Sequence, residues 1–196
     1  MSKTLTFYFD FGSPTSYLAH KRFDYFRATY DVEIDYQPVL LGAIHKATNN
    51  HPPASVAAKG LYMLRHDLPR FAARYKVPFS MNKHFPINTL SLMRGAHAAE
   101  KLGVFSRYCN AVFDALWIDG LNLGKPEIFT QMLDQHDLNS QDLMELIQDP
   151  DIKQSLQETT QTAIELGCFG APTMFIDDEM YFGQDRLDFI EEQLRD

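Results

Sequence analysis

The segment Leu5-Thr6-Phe7-Tyr8-Phe9-Asp10-Phe11-Gly12-Ser13-Pro14 limits the fold more than any other stretch of the chain. Side chains alternate with a period of two along a strand, so Leu5, Phe7, Phe9 and Phe11 share one face while Thr6, Tyr8 and Asp10 share the other. A strand from Thr4 to Phe11 is expected. Ser13-Pro14 then has the residue order of a helix start, with serine at the cap and proline in the first turn. The helix is expected to run to about Tyr30, with Ala19, Phe23, Phe26 and Tyr30 on its inner stripe at spacings of three and four. Val32, Ile34 and Tyr36 alternate with Glu33 and Asp35 as a second strand. With parallel strands, such a unit crosses over right-handed and brings the first loop and the helix N-terminus together at one end of the sheet.

From Ile44 to Gly167 no strand-like alternation of any length occurs, and helical start and stop signals recur. Lys46-Ala47-Thr48-Asn49-Asn50-His51-Pro52-Pro53 reads as a polar, proline-ended linker, and Asn88 or Thr89 caps a helix that stops at Gly103. Cys109, Val112, Phe113, Leu116 and Trp117 make one apolar helical stripe, which reads Cys109 as core packing and not as a nucleophile. Pro126 opens another helix. Asp149-Pro150 opens the last, with Ile152, Leu156, Ala163 and Leu166 inward before Gly167. The loop Cys168-Phe169-Gly170-Ala171-Pro172 returns the chain to the sheet. Strands at Thr173–Ile176 and Met180–Phe182 and a helix from Leu187 to Leu194 complete it. The expected class is α/β, with residues 1–43 and 168–196 forming one discontinuous domain around an inserted all-helical domain, 44–167.

Composition closes off several functions. The 196 residues are 45% hydrophobic and 22% charged, enough apolar material for a real core and too much for wholesale disorder. With 18 Lys and Arg against 26 Asp and Glu, the formal charge of -8 repels phosphate backbones and anionic lipid, so neither nucleic-acid nor membrane partners are expected. The opening residues lack the charged, apolar and small-residue segments of a signal peptide, and no window stays apolar for about 18 residues, which points to a soluble, cytoplasmic protein. Cys109 and Cys168 are too far apart for Cys-x-x-Cys or zinc spacing, and the seven histidines include neither His-Glu-x-x-His nor a pair at i, i+4. No metal site is expected. No glycine-rich nucleotide motif occurs either.

Four places can carry chemistry, each with a plainer alternative. Ser13 is either a simple helix cap or a hydroxyl beside free backbone amides, where the helix dipole favours an anion. Pro172 either starts its strand or is a cis-proline holding a backbone edge open for a ligand. In Gly183-Gln184-Asp185-Arg186, Gln184 or Asp185 caps the last helix, or Asp185 clamps a ligand's ammonium group. Asn50 and Lys59 are a solvated loop residue and a surface lysine, or polar groups of a site. An acidic protein that binds an anion must supply local cations, and Lys46, Lys59 and Arg186 are the candidates.

Strand, helix and strand, a helical insertion, then strand, strand and helix is the layout of a thioredoxin-like fold interrupted by helices. The run from Phe7 through Gly12-Ser13-Pro14-Thr15-Ser16-Tyr17-Leu18-Ala19 resembles the opening of 2-hydroxychromene-2-carboxylate isomerases and kappa-class glutathione transferases, in the DSBA-like group of these folds. Pro38-Val39-Leu40-Leu41-Gly42, Asn50-His51-Pro52-Pro53, Lys59-Gly60-Leu61-Tyr62, Phe85-Pro86-Ile87-Asn88, Gly170-Ala171-Pro172-Thr173 and Phe182-Gly183-Gln184-Asp185-Arg186 extend the resemblance over nearly the whole chain. Where thiol oxidoreductases of this fold carry Cys-x-x-Cys, Ser13-Pro14-Thr15-Ser16 holds no sulfur, so the sulfur must come from a ligand.

The resemblance implies that this ligand is glutathione, its thiolate stabilised by Ser13 as the catalytic residue. It implies a cis Pro172, main-chain pairing of Ala171 with the tripeptide, Gln184 and Asp185 at the gamma-glutamyl end, and Asn50 and Lys59 facing the site, where either can hold a carboxylate. The implied function is a glutathione-dependent isomerase of a small aromatic unsaturated acid, in aromatic-compound degradation, acting as a homodimer. A kappa-like transferase that conjugates electrophiles is the alternative, and a non-catalytic thioredoxin-like binding module is a second. Gly12 departs from the pattern, standing where many relatives have a larger residue.

Overall fold

The structure, a computed structural model, describes residues 3–195. Its four-stranded sheet has the order β2-β1-β3-β4, with β1 (Lys3–Phe9), β2 (Val32–Pro38), β3 (Thr173–Ile176) and β4 (Glu179–Phe182). β1 and β2 are parallel, and the other two pairings are antiparallel. This is the expected thioredoxin-like α/β architecture, with a long helical stretch between β2 and β3. β1 stops short of the expected Phe11, because Asp10 turns back on the chain. Its carboxylate accepts the Gly12 N–H at 2.8 Å and its carbonyl accepts the Ser13 N–H at 3.0 Å.

That turn feeds α1 (Pro14–Thr29), in which Ala19, Phe23 and Phe26 are fully buried as their spacing required. Phe7 of β1 meets Phe23 of α1 edge-on at 4.9 Å, and Phe11, in the turn after β1, meets Phe113 of the helical stretch at 4.7 Å. The second face of β1 is covered too, with Tyr8 packed among Val39, Ile44, Ala163 and Cys168.

The helices of the middle are α2 (Leu41–Thr48), α3 (Ala57–Tyr62), α4 (Leu68–Tyr75), α5 (Leu90–Lys101), α6 (Phe105–Trp117), α7 (Pro126–Gln135), α8 (Ser140–Leu146) and α9 (Pro150–Glu165); α10 (Leu187–Arg195) closes the chain. All five residues of the Cys109 stripe are buried, in one apolar cluster with Leu5, Phe7 and Phe9 of β1. Two expectations are corrected. Lys46, Ala47 and Thr48 are not linker but the last turn of α2, which Ile44 anchors from its buried side and Asn49, at φ 53°, terminates. Leu166 is 51% exposed, because α9 ends before it and it caps the helix instead of facing inward.

Candidate active site

Two chain segments far apart in sequence meet at the end of β1. On one side Ser13 caps α1 with extended backbone angles, φ -95° and ψ 113°, and its Oγ accepts the Ser16 N–H at 3.1 Å. On the other side the loop entering β3 carries a cis Ala171–Pro172 peptide, as the resemblance implied. Ser13 Oγ donates to the Ala171 carbonyl at 2.9 Å, and Thr15 Oγ1 lies 2.8 Å from Ser13 Oγ and 3.5 Å from the same carbonyl. Cap and contact with the facing loop are therefore one hydroxyl doing both.

Asp10 secures this corner from beneath. It is 2% exposed and accepts a second backbone N–H, from Leu41 at 2.9 Å, tying β1, the turn and α2 together. Burial raises its carboxyl pKa against three hydrogen bonds that lower it. Trp117 Nε1 donates to the Phe11 carbonyl at 2.9 Å and holds the same turn from the helical side.

Ser13, Asn50, Lys59, Ala171, Gln184 and Asp185 all line one cavity of about 700 Å³, so the structure brings together six of the seven expected residues. Pro172 does not line it. It lies buried behind the wall, where its carbonyl accepts the Gly183 N–H at 3.0 Å. Asn50 is occupied within the protein: Nδ2 donates to the Phe169 carbonyl at 2.8 Å and Oδ1 accepts the His51 N–H at 2.8 Å, so it braces the loop that presents Ala171. Lys59, on α3, is exposed and makes no ion pair among the described residues. Lys46 and Arg186 are not in the wall, and Arg186 meets the Asp185 carboxylate at 2.5 Å. Gln184 is buried and its carbonyl accepts the Tyr75 hydroxyl at 2.6 Å. Gly183 adopts φ 96°, a backbone conformation that residues with a Cβ rarely take, so a larger residue there is strained.

The remaining wall is largely apolar, with Leu41, Leu64, Leu68, Phe71, Met81 and Phe85. Gly12 also faces the cavity, and a Cβ there would press on Thr89 Cγ2 at 3.0 Å, so a larger residue needs Thr89 to give way. His45 lines the wall, its pKa pushed down by burial and by His51, which keeps it neutral at neutral pH. The chain's own thiols are inert: burial raises Cys109 well above the usual thiol range and pushes Cys168 up to about 11. Among the described residues no group of three or more His, Cys, Asp or Glu is placed to hold a metal, and no helix is long and apolar enough to cross a membrane.

Asp10, Thr15 and His45 belong to this site and were not singled out from the sequence. Asp10 offered a weak signal, a carboxylate in an aromatic strand next to Gly12, but its partner Leu41 is 31 residues away. Thr15 lies within Ser13-Pro14-Thr15-Ser16, a motif that by itself assigns it no role.

A DSBA-like thioredoxin domain model matches residues 4–195. A 2-hydroxychromene-2-carboxylate isomerase of Sphingobium xenophagum is 31% identical, over 100% of both chains. Human glutathione S-transferase kappa 1 is 26% identical over 97% of this chain and 90% of its own length. A solved 2-hydroxychromene-2-carboxylate isomerase superposes with a TM-score of 0.88 at 28% identity, covering 98% of this chain and 94% of the other. With the matched model spanning nearly every residue, the chain belongs to the DSBA-like thioredoxin domain family, in the branch that holds the 2-hydroxychromene-2-carboxylate isomerases and the kappa-class glutathione transferases.

Proposed function

We propose that the chain is a glutathione-dependent isomerase of an aromatic unsaturated acid of the 2-hydroxychromene-2-carboxylate type, cytoplasmic and homodimeric. The observation that carries this reading is the meeting of Ser13 and Ala171 across one cavity in a helix start that has no cysteine. The residues present fit glutathione. The Ala171 N–H has no hydrogen-bond partner among the described residues and is free to pair with a peptide backbone. A cavity of about 700 Å³ is in the range that holds a drug-sized ligand, with an apolar wall left for an aromatic ring.

When bound, glutathione supplies a thiolate for reversible conjugate addition to the unsaturated bond and is not consumed. Ser13 donates its hydroxyl proton in a hydrogen bond to that sulfur, and each pKa unit by which the thiol is lowered corresponds to about 1.4 kcal/mol. Ala171 pairs main chain to main chain, and Pro172 holds that edge from behind the wall. Gln184 and Asp185 take the gamma-glutamyl end, with Asp185 exchanging Arg186 for the ligand's ammonium group. Asn50 acts at one remove, by fixing the Phe169 carbonyl and with it the Ala171 loop. Lys59, unpaired at the rim, holds the substrate carboxylate. A kappa-like transferase, the alternative that the 26% identity to human glutathione S-transferase kappa 1 supports, would place the thiolate in the same way and differ in consuming glutathione.

The test is isothermal calorimetry with glutathione, followed by turnover of 2-hydroxychromene-2-carboxylate with and without it, in wild type and Ser13→Ala. Binding, glutathione-dependent isomerisation without glutathione loss, and a roughly ten- to hundredfold slower Ser13→Ala near neutral pH are expected, since a hydrogen bond to a charged group contributes about 1.5–3 kcal/mol. Absence of binding, or turnover indifferent to glutathione, would falsify the reading.

A further inference from the structure

A hydroxyl has one hydrogen to give and two lone pairs to receive with. Ser13 spends its hydrogen on the Ala171 carbonyl at 2.9 Å. Thr15 also has one hydrogen and two acceptors in reach, Ser13 Oγ at 2.8 Å and the Ala171 carbonyl at 3.5 Å; with the Ser13 hydrogen on Ala171, the much shorter contact takes it, so Thr15 donates to Ser13 and fills one lone pair. The Ser16 N–H at 3.1 Å fills the other. Ser13 is 4% exposed, so this set of partners is what its hydroxyl has in a nearly water-free corner. Its acceptor capacity is used up by two donors on its own helix.

We propose that Thr15 makes Ser13 a hydrogen-bond donor only, and thereby selects the thiolate over the neutral thiol form of a sulfur ligand in this cavity. The inference rests on the glutathione reading above and adds a positioning residue to it. A neutral thiol approaching Ser13 finds no lone pair to receive its S–H. A thiolate needs a donor, and the Ser13 hydrogen becomes available once a ligand backbone N–H takes over the Ala171 carbonyl, as strand-like pairing at that edge does. The donation from Thr15 also polarises the Ser13 O–H and strengthens what it gives. Thr15 touches neither the sulfur nor the substrate in this scheme. It works through Ser13, from the first turn of α1, where the cap geometry holds the two oxygens side by side.

Removing the Thr15 hydroxyl returns a lone pair to Ser13, which then accepts an S–H as readily as it donates to sulfur. Losing one such preference is expected to raise the pKa of the bound thiol by about one unit. The experiment titrates the thiolate ultraviolet absorbance of glutathione bound to wild type, Thr15→Val, Thr15→Ala and Thr15→Ser, with affinity measured by calorimetry on each. Valine keeps the branched shape, alanine is the reserve should valine disturb the fold, and serine keeps only the hydroxyl. Thr15→Val or Thr15→Ala is expected to shift the titration upward by about one unit, with affinity changed only a few-fold, because the backbone contacts are untouched. Turnover should drop most near neutral pH and recover above the new pKa. Thr15→Ser should return the titration to that of wild type. Coincident titrations of wild type and the hydroxyl-less variants would overturn the inference while leaving glutathione binding intact, and so would a Thr15→Ser curve that stays with valine. Failure of wild type to bind glutathione overturns the underlying reading, and the inference with it.

Discussion

Alanine in place of glycine inside a helix ordinarily stabilises a protein by about 0.5–1 kcal/mol, because the unfolded chain has less freedom to lose. In this structure the same substitution at two helical glycines should act with opposite sign. Gly42 lies exposed in α2, and a Cβ there meets nothing within 4 Å. Gly95 lies in α5 against Tyr108 of α6, where a Cβ would fall 2.1 Å from the phenolic oxygen and 2.7 Å from Cζ. Tyr108 has no slack to yield. It is fully buried, its hydroxyl donates to the Leu92 carbonyl at 2.8 Å, and its ring sits 5.9 Å from Phe11 and 6.4 Å from Phe129.

For Gly95→Ala, overpacking costs about 1–3 kcal/mol and a disturbed buried hydroxyl about 1 more, against about 1 recovered from helix propensity. The net is about 1–3 kcal/mol, or roughly 3–10 °C in Tm for a chain of this size. Gly42→Ala should instead melt about 1–3 °C higher. Thermal melts followed by circular dichroism, at one pH and protein concentration, read both. Tyr108→Phe removes the nearer atom but leaves Cζ, so Gly95→Ala with Tyr108→Phe should melt above Gly95→Ala and still below Tyr108→Phe alone. A Gly95→Ala protein that melts at or above wild type would refute the close approach of α5 and α6 at this point.

Two further outcomes follow from buried groups. Replacing both Cys109 and Cys168 by alanine should lower Tm, since both are buried, and leave kcat/KM close to wild type; a folded double variant without turnover would show that a thiol takes part after all. Burial lowers the pKa of His20 from 6.5 to about 3, so the folded state holds it neutral between Tyr36 and Asn110 while the unfolded chain protonates it. Its contribution to stability is present above about pH 6.5 and is lost as pH falls towards 3, and His20→Gln should flatten the unfolding free energy over that window. An unchanged slope would show that other groups govern the acid limb.

What the sequence made legible was local. The alternation of β1, the Ser13-Pro14 helix start, the Cys109 stripe and the two short strands near the end depend on neighbours within a few residues, and each lies where its pattern placed it save the last two residues expected of β1, which the Asp10 turn takes out of the strand. The errors fall where a distant segment decides. Lys46, Ala47 and Thr48 look like linker until Tyr8, Ala163 and Cys168 are seen to bury Ile44 one turn earlier, which makes the helix worth extending. Leu166 is apolar and correctly spaced, yet the helix stops before it can turn that side chain inward.

The site divides along the same line, with a further cause. Six of the seven candidate residues share one cavity, but their hydrogen bonds assign several of them work that a motif cannot express. Asn50 looks like a ligand contact and is a brace for the Phe169 carbonyl. Ser13 reads as either a cap or an anion site, and these alternatives are not exclusive. A hydroxyl accepting from Ser16 keeps its hydrogen, and that hydrogen is what reaches Ala171, 158 residues away. Counting donors and lone pairs at one oxygen thus requires both the short range that sequence shows and the long range that only the fold supplies. For the same reason Thr15, unremarkable in Ser13-Pro14-Thr15-Ser16, acquires a role once the Ala171 carbonyl is in place: with the Ser13 hydrogen committed there, the threonine hydroxyl donates to Ser13 at 2.8 Å in preference to the same carbonyl at 3.5 Å.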